Sequence, residues 1–307
     1  MKTTLYTHDS CALHEISPGH PECPGRIAAV TDALKEAQLY DLMTVEEAPE
    51  ADLEVLARAH GNEYVDDIVA SAPATGRVQL DADTAMNPHS LEAGLRAAGA
   101  GIVATEAVAN AGSSAAFCVV RPPGHHAEKT RAMGFCLFGS IAVAALHALD
   151  HLGLDRVAIV DFDVHHGNGT EDIIHGDKRV LFCSSFQHPY YPGYFRPSED
   201  GHIVNVPLAA GTDGSAFRDA ITAQWLPALE AFAPQMLFIS AGFDAHAQDP
   251  LAALELNESD FQWVTEQLVE VADRHCDGRI VSMLEGGYSL TALGRSAAAH
   301  VDVLLRA

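Results

Sequence analysis

The sequence of 307 residues has few basic side chains, and this shortage limits the partners that it can bind. Lysine and arginine together number 18 against 42 aspartates and glutamates, which gives a formal net charge of −24. So acidic a surface repels phosphate groups, and we therefore expect no binding to DNA or RNA. The same charge would attract a polyamine or a lysine-rich peptide, although solubility or a saline habitat also accounts for it.

Paired cysteines, a secretory signal and a membrane-spanning run are also missing. The six cysteines form no CxxC pair, and nothing in their spacing indicates a disulfide framework, so a reducing compartment is expected. Residues 1–15 have no apolar core of the kind that signal peptides carry. No apolar run approaches the ~20 residues that cross a bilayer. We therefore expect a cytoplasmic protein without a membrane partner.

Short apolar runs alternate along the sequence with longer segments rich in Ala, Leu, Glu and Gln. The predicted strands are 116–120, 156–160, 179–184, 235–240 and 279–284. The predicted helices include 25–38, 90–110, 139–152, 215–232 and 258–275. Strands that are apolar at successive positions are typical of sheets covered on both faces, and the alternation favours a parallel sheet between helical layers. With no break in composition, a single α/β domain over 1–307 is expected.

Polar side chains follow four of the predicted strands at the point where each strand ends. The sequences are RPPGHHAE (121–128), DFDVHHGNGT (161–170), AGFDAHAQDP (241–250) and EGGYSL (285–290). In open parallel α/β sheets, ligands bind outside the carboxyl ends of the strands. If these strands are neighbours, their polar ends therefore converge on one crevice.

Two of these segments carry candidate metal ligands. Asp163 and His165 are two residues apart, so on an extended chain their side chains point the same way. Asp244, from another strand end, is a candidate third ligand. Two carboxylates and one imidazole suit Zn²⁺ or Fe²⁺, and three protein ligands leave a position open for water and substrate. Taken alone, the Asp-x-His pair could equally be a hydrogen-bonded turn.

Acid–base chemistry is indicated by His125 and His126, which follow a turn stiffened by two prolines. Near an activated water they suit general base and general acid roles, and Asp161 and Asn168 are candidates to orient them. Tyr288, after two glycines, is a candidate donor to an oxyanion. In isolation these could be ordinary loop histidines and a packing tyrosine. As a set they suit amide hydrolysis without a covalent intermediate.

The chain resembles the zinc-dependent histone deacetylase family in six motifs. In order along the chain they are HPECPGRI (20–27), RPPGHHAE, GFCLF (134–138), DFDVHHGNGT, GFDAHAQDP and LEGGYSL. The resemblance is to the class II and bacterial branch, which includes acetylpolyamine amidohydrolases. It implies the arginase–deacetylase fold, an α/β architecture of three αβα layers around a central, mostly parallel eight-stranded sheet.

The resemblance also implies a role for each candidate residue. The zinc ligands of the family correspond to Asp163, His165 and Asp244. Its catalytic groups correspond to His125, His126, Tyr288, Asp161 and Asn168. Among these, His126 is implied as the general base and Tyr288 as the catalytic tyrosine. Asn168 stands where class I members carry Asp, which fits the class II pattern.

A tunnel for an acylated lysine is likewise implied. Its lining corresponds to Gly134, Phe135 and Tyr191, with Tyr191 in place of the commoner Phe, and Asp83 corresponds to a rim residue. Polyamine-selective relatives carry a Glu seven residues after the third zinc ligand, where this chain has Leu251. Because leucine cannot pair with an ammonium group, this position favours acetyl-lysine or a similar acylated primary amine. The net charge of −24 favours a polyamine instead.

Many family members also hold a structural K⁺ near the zinc through backbone carbonyls and a serine. The corresponding residues are Asp161, Asp163, His165, Ser184 and Ser185. The segment reads SSFQ where SLHQ is more usual, so that Phe186 replaces a histidine.

Three other functions stay open. An arginase-like ureohydrolase with two Mn²⁺ shares the fold but needs further acids, whereas Gly167, Asn168 and Gly169 follow the histidines here. A non-catalytic module that reads acetylated ligands should have lost a ligand, a histidine or the tyrosine. A bacterial acetylpolyamine deacetylase is the third, and because such enzymes use dimer-closed sites, a homo-oligomer is also left open.

Overall fold

The computed structural model describes residues 3–111 and 114–306. Within these ranges ten strands form, eight of them in one sheet whose neighbouring strands all run parallel. In chain order they are β1 Thr4–Thr7, β2 Thr44–Glu47, β3 Val78–Gln79, β4 Ala85–Met86, β5 Ala115–Cys118, β6 Val157–Asp161, β7 Val180–Gln187, β8 Ile203–Leu208, β9 Leu237–Ala241 and β10 Ile280–Leu284. The sheet has the order β2-β1-β5-β10-β9-β6-β7-β8, and β3 pairs with β4 in a separate antiparallel ribbon.

Helices cover both faces of this sheet. In chain order they are α1 Gly25–Glu36, α2 Leu53–His60, α3 Asn62–Ser71, α4 Ser90–Ala109, α5 Ser140–Asp150, α6 Asn168–Ile174, α7 Gly214–Phe232, α8 Glu258–His275 and α9 Leu290–Leu304. One core packs α2 to α5 against strand residues such as Ile159. The other packs α1, α7, α8 and α9 against residues such as Val160. Adjacent strand residues thus enter opposite cores, which explains why the strands are continuously apolar.

Local sequence fixes where two of these helices begin. At α8 the side chain of Asn257 accepts from a backbone N–H of the first turn, and the side chain of Asp260 accepts from the N–H of Asn257. This reciprocal pair, a capping box, gives partners to two backbone N–H groups at the start of the helix. At α7 the side chain of Asp213 accepts from the N–H of Ala216.

Among the helices described, none is long and apolar enough to cross a bilayer.

The structure confirms the predicted three-layer architecture and all five predicted strands, with ends shifted by a few residues. The five predicted helices are also present. The sequence interpretation missed β1, β2 and β8 in the sheet and α2, α3, α6 and α9 among the helices. The strands β1 and β2 are four residues long, and three of the four residues of β2 are exposed, so their sequences carry little of the apolar signal that marks a buried strand.

The order of the sheet decides where the polar segments meet. Strands β5, β10, β9 and β6 lie side by side, and each is followed by one of the four polar segments. Because all four strands are parallel, their carboxyl ends lie at one edge of the sheet. The expected convergence of the four segments at a single crevice is therefore confirmed.

Candidate active site

Asp163, His165 and Asp244 come together at the carboxyl edge of the sheet. All three are buried, and their nearest ligand atoms lie within 4.8 Å of one another. His165 Nδ1 is 3.0 Å from Asp163 Oδ1 and 3.1 Å from Asp244 Oδ2. One local expectation was wrong: β6 ends at Asp161, so Asp163 and His165 lie in bends beyond the strand and not on extended chain.

Backbone amides hold the two carboxylates in place. Asp163 Oδ2 accepts from the N–H of Gly286 at 2.8 Å, and Asp244 Oδ1 accepts from the N–H of Val164 at 2.9 Å. At Gly286 a Cβ atom would stand 2.1 Å from Asp244 Oδ2, and at Gly242 it would stand 2.0 Å from Asp163 Oδ2. Both glycines therefore allow the backbone to pass directly beside the carboxylates, and any larger residue would displace them.

The electrostatics of this trio favour a bound cation. Burial opposes a charge on His165, but its hydrogen bonds to Asp163 and Asp244 raise its pKa to about 10. Burial, together with the charge of Asp163, raises the pKa of Asp244 to about 7. Two carboxylates thus share one cationic partner in a buried place. This donor set of two oxygens and one nitrogen fits Zn²⁺, and also Fe²⁺.

The tandem histidines lie beside this trio, each held through Nδ1. His125 Nδ1 is 2.9 Å from Asp161 Oδ2, and His126 Nδ1 is 2.7 Å from Asn168 Oδ1. Burial opposes a charge on His125, yet Asp163 and Asp161 raise its pKa well above the ordinary value. Burial and the neighbouring His125 lower the pKa of His126 well below it. Two adjacent imidazoles are thereby pushed towards opposite protonation states.

A pocket of about 170 Å³ opens onto these groups. Its lining residues are Asp83, His126, Gly134, Phe135, His165, Tyr190, Tyr191, Leu251 and Tyr288. All five residues expected to contact substrate are among them, beside one metal-ligand candidate, one of the two histidines and the tyrosine. Aromatic rings form its walls: Tyr191 meets His126 edge-on at 5.0 Å between ring centroids, and Phe135 meets Tyr288 at 6.0 Å.

One wall of the pocket is a turn that two side chains secure. The N–H of Gly134 donates to Asp83 Oδ1, and the N–H of Phe135 donates to Thr84 Oγ, both at 3.0 Å. Both turn residues have positive φ, 56° at Gly134 and 69° at Phe135. A Cβ at Gly134 would stand 2.3 Å from the ring of His126, so the turn can approach the histidine only because this residue is glycine.

Tyr288 is half-buried on the other side of the pocket and is positioned by its backbone. The N–H groups of Tyr288 and Ser289 donate to Asp249 Oδ2 at 2.7 and 3.1 Å. The guanidinium of Arg26 lies 5.1 Å from the centroid of the Tyr288 ring. Burial and then the charge of Asp244 raise the pKa of Tyr288 well above its ordinary value, which keeps the phenol protonated as a donor.

This arrangement of ligands, paired histidines and tyrosine around one pocket matches a known domain. The model of the histone deacetylase domain matches residues 20–304.

The chain belongs to the histone deacetylase family.

Relatives with deacetylase names cover most of its length. A histone deacetylase-like amidohydrolase of Pseudomonas aeruginosa is 38% identical over 278 residues, which cover 88% of this chain and 73% of the relative. A probable deacetylase of Archaeoglobus fulgidus is 37% identical over 298 residues, covering 94% and 82%. The crystal structure of the HDA15 HD domain matches with a TM-score of 0.93 at 34% identity, over 99% of this chain and 88% of that chain. The predicted family, arginase–deacetylase fold and deacetylase enzyme class are thereby confirmed.

The deacetylase also carries a buried serine that fits the expected K⁺ site. Ser184 Oγ, in the middle of β7, is buried without a hydrogen-bond partner among the described residues. Its neighbour Ser185 is buried as well. Strand β7 pairs with β6 so that Ser184 lies opposite Asp161, the first of the residues expected to offer a carbonyl. An unpartnered hydroxyl at this place fits a cation ligand.

Several buried charged residues of the deacetylase site were missed in the sequence interpretation. Glu285 accepts from the N–H groups of Gly124 and His125 at 2.7 and 3.1 Å, and burial raises its pKa to about 7. Glu22 binds both Arg26 and Arg121 at full burial. These residues lie within or beside the quoted motifs, and that position is the sequence signal by which they could have been predicted.

Behind His126 lies another missed group. Asn168 Nδ2 donates to Glu128 Oε1 at 2.9 Å, and the hydroxyl of Tyr194 donates to the same oxygen at 2.6 Å. Because its amide nitrogen is engaged by the carboxylate, Asn168 turns its oxygen towards His126. The carboxylate of Glu128 thus acts on His126 through Asn168, whereas an Asp at position 168 would contact the histidine directly.

Proposed function

We propose that this deacetylase hydrolyses the amide bond of acetyl-lysine or a similar acylated primary amine. The observation that carries the proposal is that three candidate ligands and two histidines with opposite pKa shifts lie together, and that His165, His126 and the protonated Tyr288 among these groups line one pocket. Asp163, His165 and Asp244 would hold the metal, Zn²⁺ in the first place and Fe²⁺ as the other candidate. The bound metal would supply Lewis acidity and lower the pKa of a water.

The side chains then divide the proton transfers between them. Asn168 keeps the proton of His126 on Nδ1, which leaves Nε2 able to accept a proton from the attacking water. The water oxygen bonds to the carbonyl carbon, and the Tyr288 hydroxyl donates to the oxyanion that forms. When the C–N bond breaks, the histidine pair returns a proton to the departing amine. Asp161 keeps His125 oriented throughout.

The shape of the pocket supports a straight aliphatic substrate. Phe135 and Tyr191 offer flat apolar walls to a methylene chain, and Asp83 at the mouth can accept from a substrate N–H. Leu251 lines the same pocket and offers no charge for a distal ammonium. An acetylpolyamine is the second candidate substrate, because the net charge of −24 attracts polycations in general.

An arginase-like reaction with two metals is not favoured. Among the described residues, just one group of three or more His, Cys, Asp or Glu side chains that could share an ion lies beside this pocket. A second metal would need a second such group there. We further propose a single domain over 1–307, a cytoplasmic location, a structural K⁺ at Ser184 and its neighbours, and no nucleic-acid or membrane partner. A homo-oligomer is compatible with this function.

Parallel assays on an acetyl-lysine peptide and on acetylputrescine test the proposal, each with a hydroxamate control. Hydroxamate-sensitive release of acetate from the peptide is the expected result, with slower turnover of acetylputrescine. Faster turnover of acetylputrescine than of the peptide would show that the substrate is an acetylpolyamine and not acetyl-lysine. Turnover that persists after the zinc has been chelated would contradict a metal-dependent mechanism.

A further inference from the structure

A second group of ligand side chains lies on helices α4 and α5. Glu106 is close to the end of α4, while His147 and His151 are four residues apart at the end of α5. Their nearest ligand atoms lie within 4.8 Å of one another. His147 Nε2 is 3.0 Å from Glu106 Oε1, and the two imidazole rings stack with centroids 4.7 Å apart.

This group lies at the opposite edge of the sheet from the catalytic pocket. Both helices run from the carboxyl edge back to the amino edge, because α4 leads into the start of β5 and α5 leads into the start of β6. A five-residue strand such as β6 separates the two edges by roughly 16 Å. An ion bound here could not contact the catalytic trio.

We propose that Glu106, His147 and His151 form a surface zinc site, separate from the catalytic centre. Residues four apart on a helix share one face, so both imidazoles can reach one ion, and Glu106 reaches it from the neighbouring helix. Two nitrogens and one carboxylate oxygen are borderline donors that suit Zn²⁺. Three protein ligands leave one coordination position open towards solvent.

The surroundings of the group favour a cation. Burial lowers the pKa of His147, although its hydrogen bond to Glu106 opposes the shift, and its Nδ1 is buried without a hydrogen-bond partner among the described residues. The group borders a groove of about 700 Å³. Its other charged lining residues are Glu50, Asp52, Glu54 and Arg58. Three carboxylates against one guanidinium leave the groove acidic.

A simpler explanation is that Glu106 and His147 form a hydrogen-bonded pair at the end of α5. Such a pair needs no metal. That explanation gives His151 no part, because His151 is exposed and contributes only its ring contact with His147. His151 is therefore the residue that distinguishes the two.

Zinc stoichiometry tests the proposal on the intact protein equilibrated with buffered zinc. We expect two zinc ions per chain for the wild type, one for His151→Asn and one for Asp244→Ala. The matched control is His89→Asn, an exposed histidine at the other end of α4, which should keep two. His151→Asn should leave deacetylation unchanged. A single zinc in the wild type, or two in His151→Asn, would overturn the surface site.

A titration with Co²⁺ gives a readout that does not depend on activity. In the Asp244→Ala background, visible d–d absorption should report the surface site, and adding His151→Asn should abolish it or weaken the affinity at least tenfold. Persistent absorption in the double variant would contradict the assignment. Because the titration needs no turnover, a failure of the proposed deacetylation would leave this result intact.

Discussion

The proposed catalytic trio of Asp163, His165 and Asp244 and the proposed Glu106–His147–His151 site use carboxylates and imidazoles in two different settings. At the proposed catalytic trio, each carboxylate is buried and fixed by a backbone N–H, and two glycines lie so close that a Cβ on either would stand about 2 Å from a carboxylate oxygen. At the second group, the side chains stand on two neighbouring helices: Glu106 is half-buried, His147 is buried and His151 is exposed.

The difference lies in how much of each site is organised before an ion binds. The carboxylates of the proposed catalytic trio have little freedom to lose, whereas the exposed side chain of His151 must be ordered on binding. We therefore expect tight binding at the trio and weaker, exchangeable binding on α4 and α5. The loops beyond parallel strands can build the first kind of site because several chain segments converge there.

The largest expected effect is that of Asp163→Ala. It removes one of two carboxylates that share the cation, so zinc at the trio and turnover should be lost together. Zinc analysis and acetate release measure the two quantities on one sample, and the surface zinc should stay. The comparison would break if Asp163→Ala kept the zinc content of the wild type, since the ligand assignment would then be wrong.

Tyr288→Phe should reduce turnover without touching the metal. One oxyanion donor contributes roughly 10²- to 10³-fold to kcat, and the ring and backbone contacts of the tyrosine are retained in phenylalanine. Steady-state kinetics and zinc content distinguish this from Asp163→Ala. A variant as fast as the wild type would remove Tyr288 from the mechanism.

Gly286→Ala tests the close backbone approach that sets the catalytic trio apart. Its new Cβ would stand 2.1 Å from Asp244 Oδ2, so the carboxylate must shift, and we expect zinc affinity to fall about 10- to 100-fold. Zinc competition with a calibrated chelator measures this. Gly25→Ala is the matched control, because its Cβ would meet nothing nearer than 3.4 Å. Equal affinity in both variants would mean that the trio tolerates displacement.

The sequence was informative about the catalytic trio for a physical reason. Strand ends in a parallel sheet share one edge, so the positions of Asp163 and Asp244 after two apolar runs predicted their convergence. The same argument covers the position of Glu285, which directly follows β10, but the backbone N–H groups that donate to Glu285 and Asp249 come from other segments and are identified only in the folded structure. The short strands β1 and β2 escaped prediction because their pairing, and not their composition, makes them strands.

The same reasoning applies to His147 and His151, whose spacing in α5 is visible in the sequence. What the sequence does not contain is the placement of Glu106, which depends on how α4 packs against α5. A pair of histidines four apart is common on helices. It becomes a candidate metal site only when tertiary packing adds the third ligand.

The smallest effect is expected from Glu128→Gln, which tests how far the organisation of the catalytic pocket extends behind His126. Glu128 accepts from both Asn168 and Tyr194, and this pairing directs the Asn168 oxygen to His126 Nδ1. Glutamine keeps the shape, but it removes the charge and lets the amide of Asn168 turn. We expect kcat/KM to fall about tenfold, the lower end for an outer partner, with zinc content unchanged.

The pH profile separates a positioning role for Glu128 from a merely structural one. If Glu128 acts through Asn168 on His126, then Glu128→Gln should displace the acid limb of kcat/KM, because the protonation of His126 governs that limb. Asn168→Asp, which places a carboxylate directly on His126, should raise its pKa and move the limb to higher pH. Tyr194→Phe is the comparison variant: it removes a hydroxyl that contacts both Glu128 and Asn168 Nδ2 but leaves the carboxylate on Asn168, so it should displace the limb less. If the acid limb of Glu128→Gln lies at the same pH as that of the wild type, then Glu128 does not influence His126, and Asn168 is the last residue in this direction that does.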